Sequence, residues 1–429
     1  VPDKKIVSDT RQFFATMAAI SGFETSPTLA IAVSGGADSM ALLLLAQDWV
    51  KENGGSIVAL TVDHGLRPGS AAEALQVQGW CKTLGIAHHI LTWSPPALAS
   101  AIPMQAREAR YRLMSDWCCA HHILHLLTAH HQGDQAETLL LRTARGSFID
   151  GLACMAPVKP LHGIRLLRPL LSTSRLQLES FLLERNQPWL EDPTNRNLDY
   201  TRNLLRHKLP TAKVEQASQL ANEFAKYRNL LECKLANKLT NGTSIFPEAY
   251  VAIALSLFKT LPPECALRAL SHLIVTLTGQ DYPPRTEKLE RLYEEIMSDA
   301  ITKRRAFSGL IFAYQQKEGQ LLVTREPNAT EPPLAIKAQE KRLWDRRFWV
   351  TADKDCELRP LGADGLKLLG ATRLDLPKAV LVTLPSFWRL EELLAVPHIQ
   401  YGPKGKYRAA FRPAKPLAGA AFSVMTKGK

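Results

Sequence analysis

No stretch of this chain is long and apolar enough to cross a membrane. The longest apolar runs, residues 40–46 and 249–255, have seven members each, against the ~18–20 that a helical span needs. The N-terminal residues Val1-Pro2-Asp3-Lys4-Lys5-Ile6 carry no apolar core of a signal peptide, so none is expected. Cysteine is scarce. The seven, at 81, 118, 119, 154, 233, 265 and 356, form no C-x-x-C pair. That spacing argues against a zinc ribbon and a redox dithiol, and it is too irregular for a disulfide framework. A reducing cytoplasm is the expected setting, which makes the Asn241-Gly242-Thr243 sequon a chance match. Internal repeats and low-complexity tracts are missing too. Acid is missing from one region: from Tyr401 onward there are seven Lys or Arg and no Asp or Glu.

What remains is the profile of a folded protein. The 429 residues are 46% hydrophobic and 22% charged, which argues against disordered, collagen-like and coiled-coil classes. At ~100–200 residues per domain the length predicts two to four domains. The net charge of +12 is unevenly placed. Residues 1–210 hold 20 Lys+Arg and 18 Asp+Glu, whereas residues 211–429 hold 33 and 23. A near-neutral body joined to a basic one points to a polyanionic partner, with nucleic acid first among them.

The first 145 residues alternate strand and helix signals. Short apolar runs at 29–33, 57–62, 86–93 and 123–129 read as buried strands. Between them, 38–49, 71–84, 103–120 and 134–143 read as helices. Such alternation implies parallel βαβ units. Ligands of such sheets sit beyond the carboxyl ends of the strands. The residues that follow strand ends here are Ser34-Gly35-Gly36, Asp63-His64 and His130-His131. Residues 211–300 are almost continuously helical in pattern. Short β-like runs at 347–351 and 379–383 mark the remainder as a small α+β region. The expected division is 1–210, 211–335 and 336–429.

The most informative string is Ser34-Gly35-Gly36-Ala37-Asp38-Ser39, between a buried strand and a helix. Two glycines allow close backbone approach, and the amides at a helix N-terminus cradle an anion. The serine hydroxyls add donors. Asp38 suits an anion site when a divalent cation bridges it to phosphate. The string matches neither the Walker A motif nor the dinucleotide fingerprint.

SGGxDS resembles the pyrophosphate-binding loop of the N-type ATP pyrophosphatases, the PP-loop superfamily. Within it the chain is similar to the bacterial tRNA(Ile)-lysidine synthases. The matching strings, in order, are Val62-Asp63-His64-Gly65-Leu66-Arg67, Ala106-Arg107-Glu108-Ala109-Arg110-Tyr111 and His130-His131 followed by Asp134-Gln135-Ala136-Glu137-Thr138. Then come Arg145-Gly146-Ser147, Arg168-Pro169-Leu170-Leu171, Glu191-Asp192-Pro193-Thr194-Asn195 and Tyr200-Thr201-Arg202-Asn203. They span residues 29–206. The C-terminal half matches more loosely, through Leu358-Arg359-Pro360-Leu361-Gly362. Two positions depart from the family: Gly133 stands where an acid is usual, and Phe148 where glycine is usual.

The resemblance implies an α/β fold. A parallel-sheet PP-loop ATP pyrophosphatase (adenine nucleotide alpha hydrolase-like) catalytic domain would occupy 1–210. A linker helix with a helical tRNA-binding domain would occupy 211–335, and a small α+β tRNA-binding domain 336–429. It implies a ligase that adenylates C2 of the wobble cytidine in a CAU-anticodon tRNA(Ile) and lets free L-lysine displace AMP. The product, lysidine, changes codon reading from AUG to AUA. ATP is the expected co-substrate and Mg²⁺ the expected metal, on Asp38. Ser34, Gly35, Gly36, Ala37, Asp38, Ser39, Asp63 and His64 are the expected nucleotide contacts. Arg107 and Arg110, one helix face apart, would grip phosphate, and Asp134 and Glu137 would receive the lysine ammonium. Asp134 also suits a helix N-cap. Arg145, Arg304, Arg305, Arg346, Arg347, Lys404, Lys406 and Arg408 are the expected tRNA contacts. Trp344, Phe348, Tyr407 and Phe411 interleave with the basic residues as stacking platforms or, more in keeping with their type, as core. The oligomeric state stays open between monomer and homodimer.

Three other readings stand beside this one, of which an amide-forming ligase usually brings a glutamine amidotransferase domain that the sequence does not obviously contain. A PP-loop tRNA thiolase generally needs paired cysteines, and only the adjacent Cys118-Cys119 pair is present. A non-catalytic RNA-binding relative would not need an intact loop. His130-His131 lacks the HExxH spacing of a zinc site.

Overall fold

The computed structural model describes residues 3–65, 69–93, 102–147, 149–161, 163–191, 205, 209–280, 282–298, 304–370, 375–413 and 415–418. The chain forms two compact units, with the division at residues 230 and 231.

The first unit is built on a six-stranded sheet. In chain order its strands are β1 (Thr28–Ala32), β2 (Ser56–Asp63), β3 (Ala87–Thr92), β4 (His125–Leu127), β5 (Val158–Leu161) and β6 (Ile164–Leu167). In space the order is β3-β2-β1-β4-β6-β5. All neighbours pair in parallel except β5 with β6. The four strands expected from the apolar runs are all present, within a few residues of the expected ends. Helices α1 (Asp3–Ile20), α2 (Ala37–Asn53), α3 (Ser70–Thr83), α4 (Ile102–Ala120), α5 (Gln132–Ala144), α6 (Ile149–Leu152) and α7 (Arg175–Glu184) accompany them.

Burial explains why β1 lacks a polar face. Leu29 and Ile31 of β1 enter one core, with Leu42, Leu45 and Phe181. Ala30, between them, enters another with Val58, Leu60, Met114 and Leu126. Side chains alternate across a strand, so a sheet packed on both faces requires an uninterrupted apolar run.

Helix α8 (Thr211–Gly242) contains the division point. The second unit corrects the expectation of near-continuous helix over 211–300. Residues 243–254 form β7 (Thr243–Ile245) and β8 (Val251–Ala254). With β9 (Arg305–Phe307), β10 (Leu310–Gln315) and β11 (Gln320–Arg325) they make a sheet of order β7-β8-β11-β10-β9. Val251 and Ile253 are fully buried, but an alternation over four residues is too short to declare a strand, and its partner β11 lies far along the chain. Helices α9 (Leu255–Thr260), α10 (Pro263–Thr278) and α11 (Thr286–Met297) cover this sheet's core.

Two smaller sheets follow. One orders β12 (Leu334–Ile336), β15 (Cys356–Pro360), β16 (Pro385–Arg389) and β17 (Glu392–Ala395); the other orders β13 (Arg342–Trp344), β14 (Phe348–Ala352) and β18 (Tyr407–Phe411). The β-like run at 347–351 is β14. The run at 379–383 is not a strand: it begins as a helical turn over Lys378–Leu381, with Pro377 as N-cap, that buries Val380 and Leu381. A short apolar run suits either structure when it is buried.

Candidate active site

Strand order locates the site. β2 and β3 lie on one side of β1, and β4, β6 and β5 on the other. Chain direction across the sheet therefore reverses between β1 and β4. The loops leaving these two strands part and open a crevice at their carboxyl ends. The first loop carries residues 34–39 and the second carries residues 128–134.

The first loop is shaped from within. Gly35 has φ +86°, and a Cβ there would meet Leu190 Cδ1 at 2.6 Å and Val77 Cγ2 at 2.8 Å. Its carbonyl accepts the Leu190 amide at 2.8 Å. Gly35 is thus required by the fold. Gly36 differs: it is the N-cap of α2 in extended conformation, and a Cβ would find nothing nearer than 3.8 Å. The open space beside Gly36 suits the approach of a ligand. The opening amides of α2, including those of Ala37 and Asp38, have no acceptor within the helix, and they point to where an anion would lie.

Ser39 is bonded within the loop. Its hydroxyl donates to the Gly36 carbonyl at 2.9 Å and accepts the Ser34 amide at 3.2 Å. Its single proton is engaged, so here it braces the loop rather than reaching outward. Ser34 Oγ lies 3.3 Å from it. Behind the loop, Thr61 donates to the Val33 carbonyl at 2.8 Å and meets His88 Nε2 at the same distance.

The two loops meet at His131. This residue, not Asp134, is the N-cap of α5. Its Nδ1 accepts the Gly133 amide at 2.9 Å. Its Nε2 lies 3.6 Å from Asp38 Oδ2 and 3.8 Å from Asp134 Oδ2. Asp134 completes the capping box by accepting the His131 amide at 3.0 Å. Glu137, one turn on, is buried. Gln135 of the same string is structural: its amide group both donates to and accepts from the Met155 backbone.

Cations lie beside both loops: Arg110 by His64, and Arg168 and Arg107 by His130. Arg110 lies 3.2 Å from His64 Nε2. Burial, then Arg110, pushes His64 below its usual value, against a smaller opposite pull from Asp63. Asp63 itself shapes the turn after β2. The Gly65 amide at 3.0 Å, then the Ser70 hydroxyl, holds its carboxyl below the usual range. Arg107 sits over the Tyr111 ring at 5.4 Å. Burial, then the Arg168 cation, pushes His130 down to about 3, with Arg107 adding to the effect. His130 is therefore a neutral imidazole beside two guanidiniums, and Thr128 Oγ1 lies 3.1 Å from its Nδ1.

His130, His131, Tyr111 and Arg168 were absent from the expected site residues. All four lie inside matching strings, and His130-His131 follows a strand end, which was the available signal. Leu66, Arg67, Phe148 and the strings from Asp192 to Asn203 lie outside the described residues.

The expected tRNA contacts divide by exposure. Arg145 caps the C-terminus of α5 and is exposed. Arg304, Lys404, Lys406 and Arg408 are exposed. Arg305 is held by Glu295 through two bonds, at 2.6 and 3.1 Å. Arg346 is exposed, 3.9 Å from Glu331. Arg347 is corrected. Its side chain is 0% exposed and donates to Asp345 at 2.7 Å. Asp345 is shared with Arg325 at 2.9 Å. A guanidinium so enclosed holds the fold and cannot meet a phosphate. Trp344 and Phe348 are core as well.

A family model described as "PP-loop domain" matches residues 2–212. The tRNA(Ile)-lysidine synthase of Wolbachia pipientis wMel is 33% identical over 398 residues, covering 88% of this chain and 90% of that protein. The enzyme of the same name from Ruegeria pomeroyi is 35% identical over 382 residues, covering 86% and 88%. The one from Orientia tsutsugamushi is 28% identical over 414 residues, covering 91% and 93%.

Proposed function

We infer the activity from one premise: the chain belongs to the tRNA(Ile)-lysidine synthase family. It is an ATP-using tRNA-modifying ligase that forms a carbon–nitrogen bond. We propose that free L-lysine is joined to C2 of the wobble cytidine in CAU-anticodon tRNA(Ile), through an adenylated cytidine. The observation that carries this is the meeting of the loops after β1 and β4, where Asp38 and Asp134 both lie within 4 Å of His131 Nε2.

In this scheme ATP lays its pyrophosphate on the amides of Gly35, Gly36 and Ala37. Arg107 and Arg110 stabilise charge as pyrophosphate leaves. No group of three or more His, Cys, Asp or Glu among the described residues could hold a metal ion. Mg²⁺ would instead be carried in with the nucleotide, and Asp38 is the residue that would hold it. When bound, it neutralises phosphate charge.

Lysine enters as an ammonium. Asp134 and Glu137 hold that cation, and neutral His130 stands near enough to Asp134 to feel its charge. The exposed Arg304, Lys404, Lys406 and Arg408 contact tRNA phosphates. A reducing cytoplasm suits the seven free cysteines, and no helix among the described residues is long and apolar enough to cross a membrane.

The thiolase reading loses support from the same cysteines. Cys118 is buried, which pushes its thiol up to about 12, while Cys119 is exposed. A thiol held protonated is a poor sulfur carrier.

The deciding assay supplies ATP, Mg²⁺, labelled lysine and CAU tRNA(Ile). Label should enter the tRNA with release of AMP and pyrophosphate. AMP release with no label in the tRNA would refute the lysine assignment. Asp38→Asn should abolish pyrophosphate release and leave tRNA binding intact; normal turnover would remove Asp38 from the metal site.

A further inference from the structure

We propose that His131 is a positioning residue for Asp38, and that Gly133 makes the space in which it works. The proposal rests on the role in ATP cleavage given to Asp38 above.

The His131 side chain is 5% exposed, in the wall between the two site loops. Its Nδ1 accepts the Gly133 amide. With that lone pair engaged, the neutral ring carries its proton on Nε2. Nε2 faces Asp38 Oδ2 at 3.6 Å and Asp134 Oδ2 at 3.8 Å. These distances are too long for hydrogen bonds, yet Nε2 stands within 4 Å of two carboxylates in a shielded place, where electrostatic interaction is strengthened. His131 also holds Asp134 directly, through its own amide. One residue therefore sets both acids: Asp134 through backbone and Asp38 through the ring.

The ring lies where it does because residue 133 has no side chain. A Cβ on Gly133 would come within 2.7 Å of His131 Cε1 and 3.1 Å of Nδ1. Gly133 lies within α5 and is not among the residues of positive φ, so the backbone itself does not call for glycine. A side chain there would be accepted by the helix and would swing the imidazole out. In this chain the imidazole occupies the space that a Cβ at 133 would enter.

The test compares Gly133→Ala, His131→Asn and the double variant. Asparagine still caps a helix but is too short to place N–H where Nε2 lies. Each single variant should slow tRNA-dependent pyrophosphate release by about a hundredfold, as expected when a reacting group is misplaced by about 1 Å. The KM for ATP should stay within about twofold, which separates positioning from binding. Gly133→Ala should cost no more than about 1 kcal/mol of stability, since the helix preference of alanine partly offsets the lost imidazole cap. The double variant should be no slower than His131→Asn, because the new Cβ then meets no ring. Normal turnover by Gly133→Ala, or additive losses, would overturn the proposal. Imidazole ¹⁵N spectra give a readout independent of activity: His131 should show the Nε2–H form in the wild type, and an Nδ1–H form would overturn the proposal. Should the wild type release no pyrophosphate with any tRNA, the ATP-cleaving function fails, and the spectra still judge His131.

Discussion

Arg110 approaches Nε2 of His64 at 3.2 Å. A guanidinium has only donors, so His64 accepts this bond and keeps its proton on Nδ1. The pairing ties α4 to the loop after β2 at the crevice edge. Burial comes first and Arg110 second in holding His64 below its usual 6.5. In an NMR titration His64 should therefore show a midpoint below 6.5. Arg110→Met should raise it without restoring the full value, since burial remains. A wild-type midpoint at or above 6.5 would refute the pairing.

The first unit should be acid-sensitive for a related reason. Burial is the main cause holding His64, His88, His125 and His130 below 6.5, His130 down to about 3. Each binds a proton less well folded than unfolded. Its contribution to stability is full above pH ~6.5 and is lost as pH falls toward the folded value, at up to ~1.4 kcal/mol per pH unit for each imidazole. Hydrogen exchange at β1 and β4 amides, corrected for intrinsic rate, should show protection falling from pH 7 to pH 5. Constant protection over that interval would contradict the burial of these rings.

Adjacent glycines should fail differently. Gly35→Ala meets positive φ and two side chains below 3 Å, so it should cost about 2 kcal/mol or more of stability. Gly36→Ala meets nothing within 3.8 Å other than its chain neighbours. Its stability should lie within ~0.5 kcal/mol of the wild type. ATP affinity should fall roughly tenfold, the value of one lost contact. Thermal melts and ATP titrations on the two variants separate the roles, and unchanged ATP affinity in Gly36→Ala would place the nucleotide elsewhere.

Arg347 and Arg408 should separate as well. Arg347→Met breaks a buried pair with Asp345 and should cost about 3 kcal/mol of stability. Arg408 is exposed on β18. Arg408→Ala should leave the melt within ~0.5 kcal/mol and lower the slope of log tRNA affinity against log salt by about one. A full salt slope in Arg408→Ala would remove it from the tRNA surface.

Much of the site was readable along the chain. Residues 34–39 form one continuous turn into α2, and Gly35 carries its requirement in the residue type. Strand signals named four of the five parallel strands, and β1 is an apolar run because both of its faces are covered. The strings around Arg107, Arg110, Asp134 and Glu137 sit on α4 and α5 at helical spacing, where local pattern is reliable. β7 and β8 were not readable, because four-residue alternations depend on a partner strand supplied from far along the chain.

Residue order was enough to specify local conformation and the chemical inventory: the anion loop, the helix caps, the acids and the cations. It could not specify which loops would meet. His131 reaches Asp38 across 93 positions because β1 and β4 are neighbours in the sheet, and that adjacency is set by packing of the two cores. Arg347 carries the same charge as Arg408, yet it is enclosed with Asp345 while Arg408 faces water. Charge is a property of the residue, whereas its solvent is a property of everything folded around it.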